Sequence, residues 1–139
     1  MKIGIIGSGG REHALCYTLK KSKKVKKIYC FPGNGGTAAI AENISIDLSN
    51  FQELKNIINK NKIDLIVVGP EKPLVEGVVD FLKLNKIKVF GPNKLAAQLE
   101  GSKIFTKNLC EKYKIPTAKF GVFEKENEAI KFVKHSNLP

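Results

Sequence analysis

The chain has 139 residues, 24 Lys+Arg against 13 Asp+Glu and a formal net charge of +11; this length fits one domain with a fragment of a second. Hydrophobic residues make up 42% and charged residues 27%, enough apolar side chain for a packed core and against intrinsic disorder. No apolar run approaches the ~20 residues of a spanning helix, and Met1–Gly7 is too short and lacks a small-residue cleavage site for a signal peptide, so the expectation is a cytoplasmic protein with no membrane partner.

In chain order, Lys2–Gly7 is a β-branched run ending in glycine, followed by a helical stretch from about Arg11 to Ser22. Lys27–Phe31 predicts a second strand closed by Pro32-Gly33, and a short strand is expected near Asn43–Ile46. Ser49 begins a helix, with Gln52 three residues on as the other half of a capping box, and Phe51, Leu54, Ile57 and Ile58 share one face of it. Asp64–Pro70 contains a continuous apolar strand of the kind covered on both faces. Leu74, Val75, Val78, Val79 and Leu82 form the stripe of one following helix, and Ile87–Phe90 is a last strand stopped by Gly91-Pro92. Strands alternating with helices at this spacing predict an α/β fold with a doubly wound parallel sheet.

From Gly101-Ser102 the pattern changes. Ser102 caps a helix carrying Phe105, Leu109 and Tyr113 that ends before Ile115-Pro116; a strand-like Lys119–Phe123 and a short helix around Ala129–Val133 follow, and no strand returns before Asn137-Leu138-Pro139. Two domains are expected: 1–101 complete, 102–139 the beginning of a second.

The positive charge consists of 23 Lys and the single Arg11, and Lys, Ile and Asn, all with AT-rich codons, exceed a third of the chain. The Lys20–Lys27 cluster at the end of the first helix reads as a solvated face that complements the helix dipole. Specific nucleic-acid readers lean on arginine, so no nucleic-acid partner is expected. Cys16, Cys30 and Cys110, odd in number and without CxxC spacing, read as reduced, buried thiols.

Three turns carry chemistry. Gly7-Ser8-Gly9-Gly10-Arg11-Glu12-His13 joins a strand to a helix, where glycines admit a ligand to the backbone and the helix start offers N–H groups to an anion. Pro32-Gly33-Asn34-Gly35-Gly36-Thr37 is a second anion nest with amide and hydroxyl side chains. Gly69-Pro70-Glu71 offers a carboxylate for a ribose hydroxyl or an amine, or an ordinary helix N-terminal glutamate. All three lie at the carboxyl ends of strands, where open α/β sheets bind ligands. A NAD(P)-binding oxidoreductase domain is the alternative. It would need a third glycine where Glu12 stands and an acid after the second strand, where none occurs between Glu12 and Glu42.

These residues resemble a known family. Gly7–Leu15, the Pro32-Gly33-Asn34 turn, Val68-Gly69-Pro70-Glu71 with Pro73-Leu74-Val75, Ala96–Lys107 and Ile115-Pro116-Thr117-Ala118 are similar to the glycinamide ribonucleotide synthetases, or phosphoribosylamine–glycine ligases. The resemblance implies a Rossmann-like pre-ATP-grasp domain followed by the start of an ATP-grasp domain. It also implies a monomeric ligase of de novo purine biosynthesis. ATP would phosphorylate glycine, and 5-phosphoribosylamine would attack the glycyl phosphate, giving glycinamide ribonucleotide, ADP and phosphate. By position, Gly9, Gly10 and Arg11 would meet the phosphoribosyl end, Asn34 and Gly35 would line its side, Glu71 would contact ribose or amine, and Lys103 would reach the nucleotide phosphates. The ATP-gripping loop and the Mg²⁺ ligands are expected beyond residue 139. This chain is therefore expected to hold no catalytic or metal residue and to be inactive alone.

Overall fold

The computed structural model describes residues 1–136; residues 137–139, on which the sequence reading of the second unit ends, lie outside the described residues. The chain divides into two compact units, Met1–Gly101 and Ser102–Pro139.

In the first unit five strands, β1 (Lys2–Gly7), β2 (Lys27–Pro32), β3 (Glu42–Asn43), β4 (Leu65–Val68) and β5 (Val89–Phe90), form one sheet in the order β3-β2-β1-β4-β5. Every adjacent pair is parallel, with Ile5 beside Cys30 on one side and Val67 on the other. Strand side chains alternate between faces, and two apolar layers result. On one face Ile6, Tyr29, Phe31, Ile66 and Val68 meet α3 (Phe51–Asn61), α4 (Glu71–Glu76), α5 (Val78–Leu84) and α6 (Lys94–Gly101) through Leu54, Ile58, Leu74, Val78, Val79, Leu82 and Ala97. On the other, Ile3, Ile5, Ile28 and Cys30 meet Cys16 of α1 (Gly10–Lys20), with Leu15, Leu19 and Ile40 around them. This is the doubly wound α/β sheet that the strand–helix alternation predicts.

The local differences from the sequence reading have physical reasons. Helix α3 is capped by Asn50, not Ser49: Asn50 Oδ1 accepts the Glu53 N–H at 3.1 Å, while the Ser49 N–H donates to Asp47 Oδ1 at 2.9 Å. An Asn caps as well as a Ser, and the Asp47 turn has already taken the serine's backbone. The single helix expected over Leu74–Leu82 is two helices, because Gly77 at φ +101° ends α4 in the left-handed region and starts α5. Strand β3 is shorter than expected, since after Asn43 the chain buries Ile44 and Ile46 partly against α3's layer. Helix α6 has no counterpart among the expected elements; Asn93 Oδ1 accepts the Ala96 N–H at 2.8 Å and starts it.

In the second unit Ser102 caps α7 (Lys103–Lys112) by accepting the Phe105 N–H at 3.2 Å, and α8 (Glu126–Lys134) follows. The strand expected over Lys119–Phe123 is absent: the segment is unpaired, for no neighbouring strand stands beside it among the described residues. Lys107 Nζ instead holds the segment's start, donating to Thr117 Oγ1 at 2.6 Å and the Ala118 carbonyl at 3.0 Å.

The lysines from Lys20 to Lys27 are all exposed, and Lys27 pairs with Glu42 of β3 at 2.6 Å. Cys16 and Cys30 are buried free thiols with sulfurs 3.1 Å apart; Cys110 is free and only half-buried, so the expectation of burial holds for two of the three. No described helix is long and apolar enough to cross a membrane.

Candidate functional site

The strand order reverses between β1 and β4, where connections leave in opposite directions and open a crevice at the carboxyl edge. The turns after both strands meet there around Glu12. Glu12, the third residue of α1, bends back so that Oε2 accepts the Gly9 N–H at 2.6 Å. Gly7, at φ +131°, has room for no Cβ, which would stand 2.6 Å from the Glu12 Cδ; a Cβ on Gly69 would collide with Glu12 Oε1. Two glycines at the ends of two strands thus leave the space one carboxylate fills.

Glu12 is only 3% exposed and is the one charged side chain buried among the described residues. Its Oε1 has no hydrogen-bond partner there; Arg11 Nε stands 3.5 Å away, within ion-pair reach. The other end of the same guanidinium lies 3.6 Å from Glu71 Oε2, so Arg11 is bracketed by two carboxylates. Glu71 opens α4 behind Pro70. Its own backbone N–H, and after it the Arg11 charge, hold its carboxyl below the usual range.

The turn after β2 is tied to this edge. Asn34 caps the short helix α2 (Gly35–Ala38), its Oδ1 accepting the Thr37 N–H at 2.9 Å, while its Nδ2 donates to the Ser8 and Gly9 carbonyls at 2.7 and 3.2 Å. The buried Thr37 hydroxyl donates to Asn43 Oδ1 at 2.8 Å, and the Asn43 amide donates to the Asn34 carbonyl at 2.8 Å. Gly33 at φ +77° completes the turn, donating its N–H to the Gly7 carbonyl at 3.1 Å.

Of the residues singled out from sequence, Gly9, Gly10, Arg11 and Glu71 gather at the crevice. Asn34 and Gly35 stand on the adjoining turn, where both ends of the Asn34 side chain are engaged within the protein. The Gly9 N–H is taken by Glu12, whereas Gly10 and Gly35 face open space. Lys103 is exposed in the first turn of α7, in a unit whose described residues include no buried side chain. Sequence reasoning missed Glu12 as the organiser. The signal was its position three residues after Gly9, in the place of a third glycine.

A cleft of about 410 Å³ opens here, lined by the Gly7–Gly9 turn, Arg11, Glu12, the Asp47–Ser49 loop, Lys72 and Glu76 among others. Among the described residues no three His, Cys, Asp or Glu side chains group as metal ligands.

A family model described as "Phosphoribosylglycinamide synthetase, N domain" matches residues 1–100. Phosphoribosylamine–glycine ligases of Caldanaerobacter subterraneus subsp. tengcongensis and Clostridium acetobutylicum are each 48% identical over 139 residues, covering 100% of this chain and 33% of the relative. The chain therefore spans about a third of the length of the curated relatives it matches. The crystal structure of phosphoribosylamine–glycine ligase from Thermotoga maritima aligns at a TM-score of 0.68 and 32% identity, over 96% of this chain and 30% of that one. That of N5-carboxyaminoimidazole ribonucleotide synthetase from Thermus thermophilus aligns at 0.67 and 20% identity, over 99% and 37%, a likeness of fold.

Proposed function

Because the chain belongs to the phosphoribosylglycinamide synthetase N-domain family, we propose that it is the sugar-phosphate-binding portion of an ATP-dependent ligase joining glycine to 5-phosphoribosylamine, in de novo purine biosynthesis. The 48% identity to ligases of that name supports the activity, and the observation that carries the site is the bracketing of Arg11 by Glu12 and Glu71 where the sheet order reverses. On this reading residues 1–101 are the substrate domain and 102–139 begin the ATP-grasp domain, with Lys103 directed to nucleotide phosphate. ATP with Mg²⁺ supplies the phosphoryl group that turns the glycine carboxylate into an acyl phosphate.

What these residues do is bind and orient. The Gly10 and Gly35 backbones are open to a phosphate, and the Arg11 guanidinium adds the charge. The Glu71 carboxylate, kept ionised, accepts from a ribose hydroxyl or the amine. With no described metal cluster, the 139 residues on their own should bind sugar phosphate without forming product. The complete ligase is read as a cytoplasmic monomer. The dehydrogenase alternative fares worse on the geometry. No acid stands between Glu12 and Glu42, so none closes β2, and the buried Glu12 carboxylate lies under the turn a pyrophosphate would need.

Ribose 5-phosphate titrated into ¹⁵N-labelled protein tests the reading. Shifts are expected at the amides of Gly10, Gly35 and Glu71, with about tenfold weaker binding in Arg11→Ala. No shift at any of the three amides argues against it.

A further inference from the structure

Codon bias multiplies lysines wherever a surface meets solvent and carries no instruction about which side they take. In the first unit they take a side: twelve of the fifteen lysines among residues 1–101 stand at the amino edge of the sheet, opposite the crevice. Helix α1 ends in Lys20 and Lys21, and Lys23, Lys24, Lys26 and Lys27 lead from it into β2. Met1 ties that loop to the edge, its amino group donating to the Lys24 carbonyl at 2.6 Å and its carbonyl accepting the Lys26 N–H at 2.8 Å. Lys60 and Lys62 close α3 before β4, and Lys2 Nζ, from the start of β1, donates to the Asn61 carbonyl between them at 2.8 Å. Lys83, Lys86 and Lys88 lead from α5 into β5. All but Lys2 are exposed. Two carboxylates oppose them there, Glu42, paired with Lys27 at 2.6 Å, and Asp64. The rest of the unit, with seven carboxylates against Arg11 and three lysines, is net negative.

Complementing helix dipoles accounts for Lys20, Lys60 and Lys83 in last turns, each end worth about half a charge, but not for the lysines of the loops and strand starts. Protein–protein interface cores are depleted of lysine, whereas a flexible point charge suits phosphate contact without base readout. Strands ~4.8 Å apart spread the starts of β2, β1, β4 and β5 over about 14 Å, and a duplex carries one charge per ~1.7 Å of axis. We propose that the amino edge of the sheet is a docking face for the phosphate backbone of duplex nucleic acid, bound without regard to sequence. The lack of arginine there excludes base reading, and this contact needs none. It is independent of the sugar-phosphate reading and uses the opposite edge.

Fluorescence anisotropy of a labelled RNA duplex of about 20 base pairs, titrated with the 139-residue chain, tests it. Binding is expected at about 50 mM salt and should be about a thousandfold weaker at about 200 mM, the loss that about six phosphate contacts give. Lys23→Glu, Lys24→Glu and Lys26→Glu together, exposed side chains with no ion pair among the described residues, should cost about tenfold or more at the lower salt and flatten the salt dependence. Lys55→Glu, Lys72→Glu and Lys94→Glu together make the same charge change away from the edge and should cost about threefold or less. Amide shifts in the wild type should centre on residues 20–27 and 83–88. No binding at the lower salt, equal losses in the two triple variants, a tenfold preference between duplexes of scrambled sequence, or shifts confined to the crevice turns overturns the proposal. Phosphatidylserine vesicles that displace the duplex at equal phosphate concentration overturn it in favour of a membrane surface. Salt-sensitive self-association in sedimentation, without binding to the duplex, overturns it in favour of a second copy.

Discussion

Helix α3 of the first unit and helix α8 of the second both carry apolar stripes, yet they end in opposite environments. Leu54 and Ile58 of α3 are essentially closed to solvent, whereas Ile130 and Val133 of α8 remain 43% and 51% exposed. The difference lies outside the helices. α3 lies on a parallel sheet whose side chains fill the space beneath it, while among the described residues of the second unit there is no strand at all. An amphipathic stripe is thus a request for a partner, and its stability comes from what faces it.

The sharpest way to break this comparison is to cut one aromatic in each unit. Phe31→Ala, wholly inside the sheet layer, is expected to lower the unfolding free energy by about 3–5 kcal/mol. Phe132→Ala, whose ring meets Phe123 at 5.1 Å but stays 39% exposed, should change it by about 1 kcal/mol or less. Urea titration of both variants reads the contrast; equal losses would show that the second unit is as cooperatively packed as the first. Gly69→Ala comes next, at about 1–3 kcal/mol by overpacking against Glu12. Most of that loss should vanish in a Glu12→Ala background, since the two groups share one space. Persistence of the full loss would place the strain elsewhere.

The cysteines provide the smallest of the three effects. Burial pushes the Cys30 thiol up to about 12 and raises Cys16 as well. Unfolded, each would ionise near 9. The protons therefore stay on longer in the folded protein, and stability present below pH 9 declines as pH rises toward 12, with Cys30 contributing about 1 kcal/mol of loss by pH 10. Chemical denaturation at pH 8 and 10 measures the decline. Thiol labelling at pH 8 should modify Cys110 of the second unit first and leave Cys16 and Cys30 protected until unfolding. Early labelling of Cys16 would contradict the burial of α1.

Much of the first unit was legible in the sequence because its signals are local. β-branched runs closed by glycine announce strands, and the change of pattern at Ser102 announces the second unit. Arg11 and Glu71 were legible because each follows a glycine turn at a strand end. The burial of Glu12 was not, for it depends on Gly69, 57 positions away, leaving out a Cβ. The strand-like run Lys119–Phe123 misled for the complementary reason: a strand exists only beside another. Asn50 and Gly77 were local signals set against near equals, a serine one residue earlier and an apolar stripe that runs straight through the break.

Gly77 ends one of those two short helices and starts the other. The segment behind it, α5, seats Val78, Val79 and Leu82 in the core; the segment ahead, α4, adds Leu74 to that core, presents Lys72 and Glu76 to the cleft and points Glu71 at Arg11 beside it. A continuous helix would yoke the pitch of the rim to the pitch of the core. With that break between them, substitutions at the exposed Lys72 and Glu76 of α4 can retune the charge of the entrance while Leu74 and the layer beneath keep their packing, so recognition and architecture are free to drift at different rates.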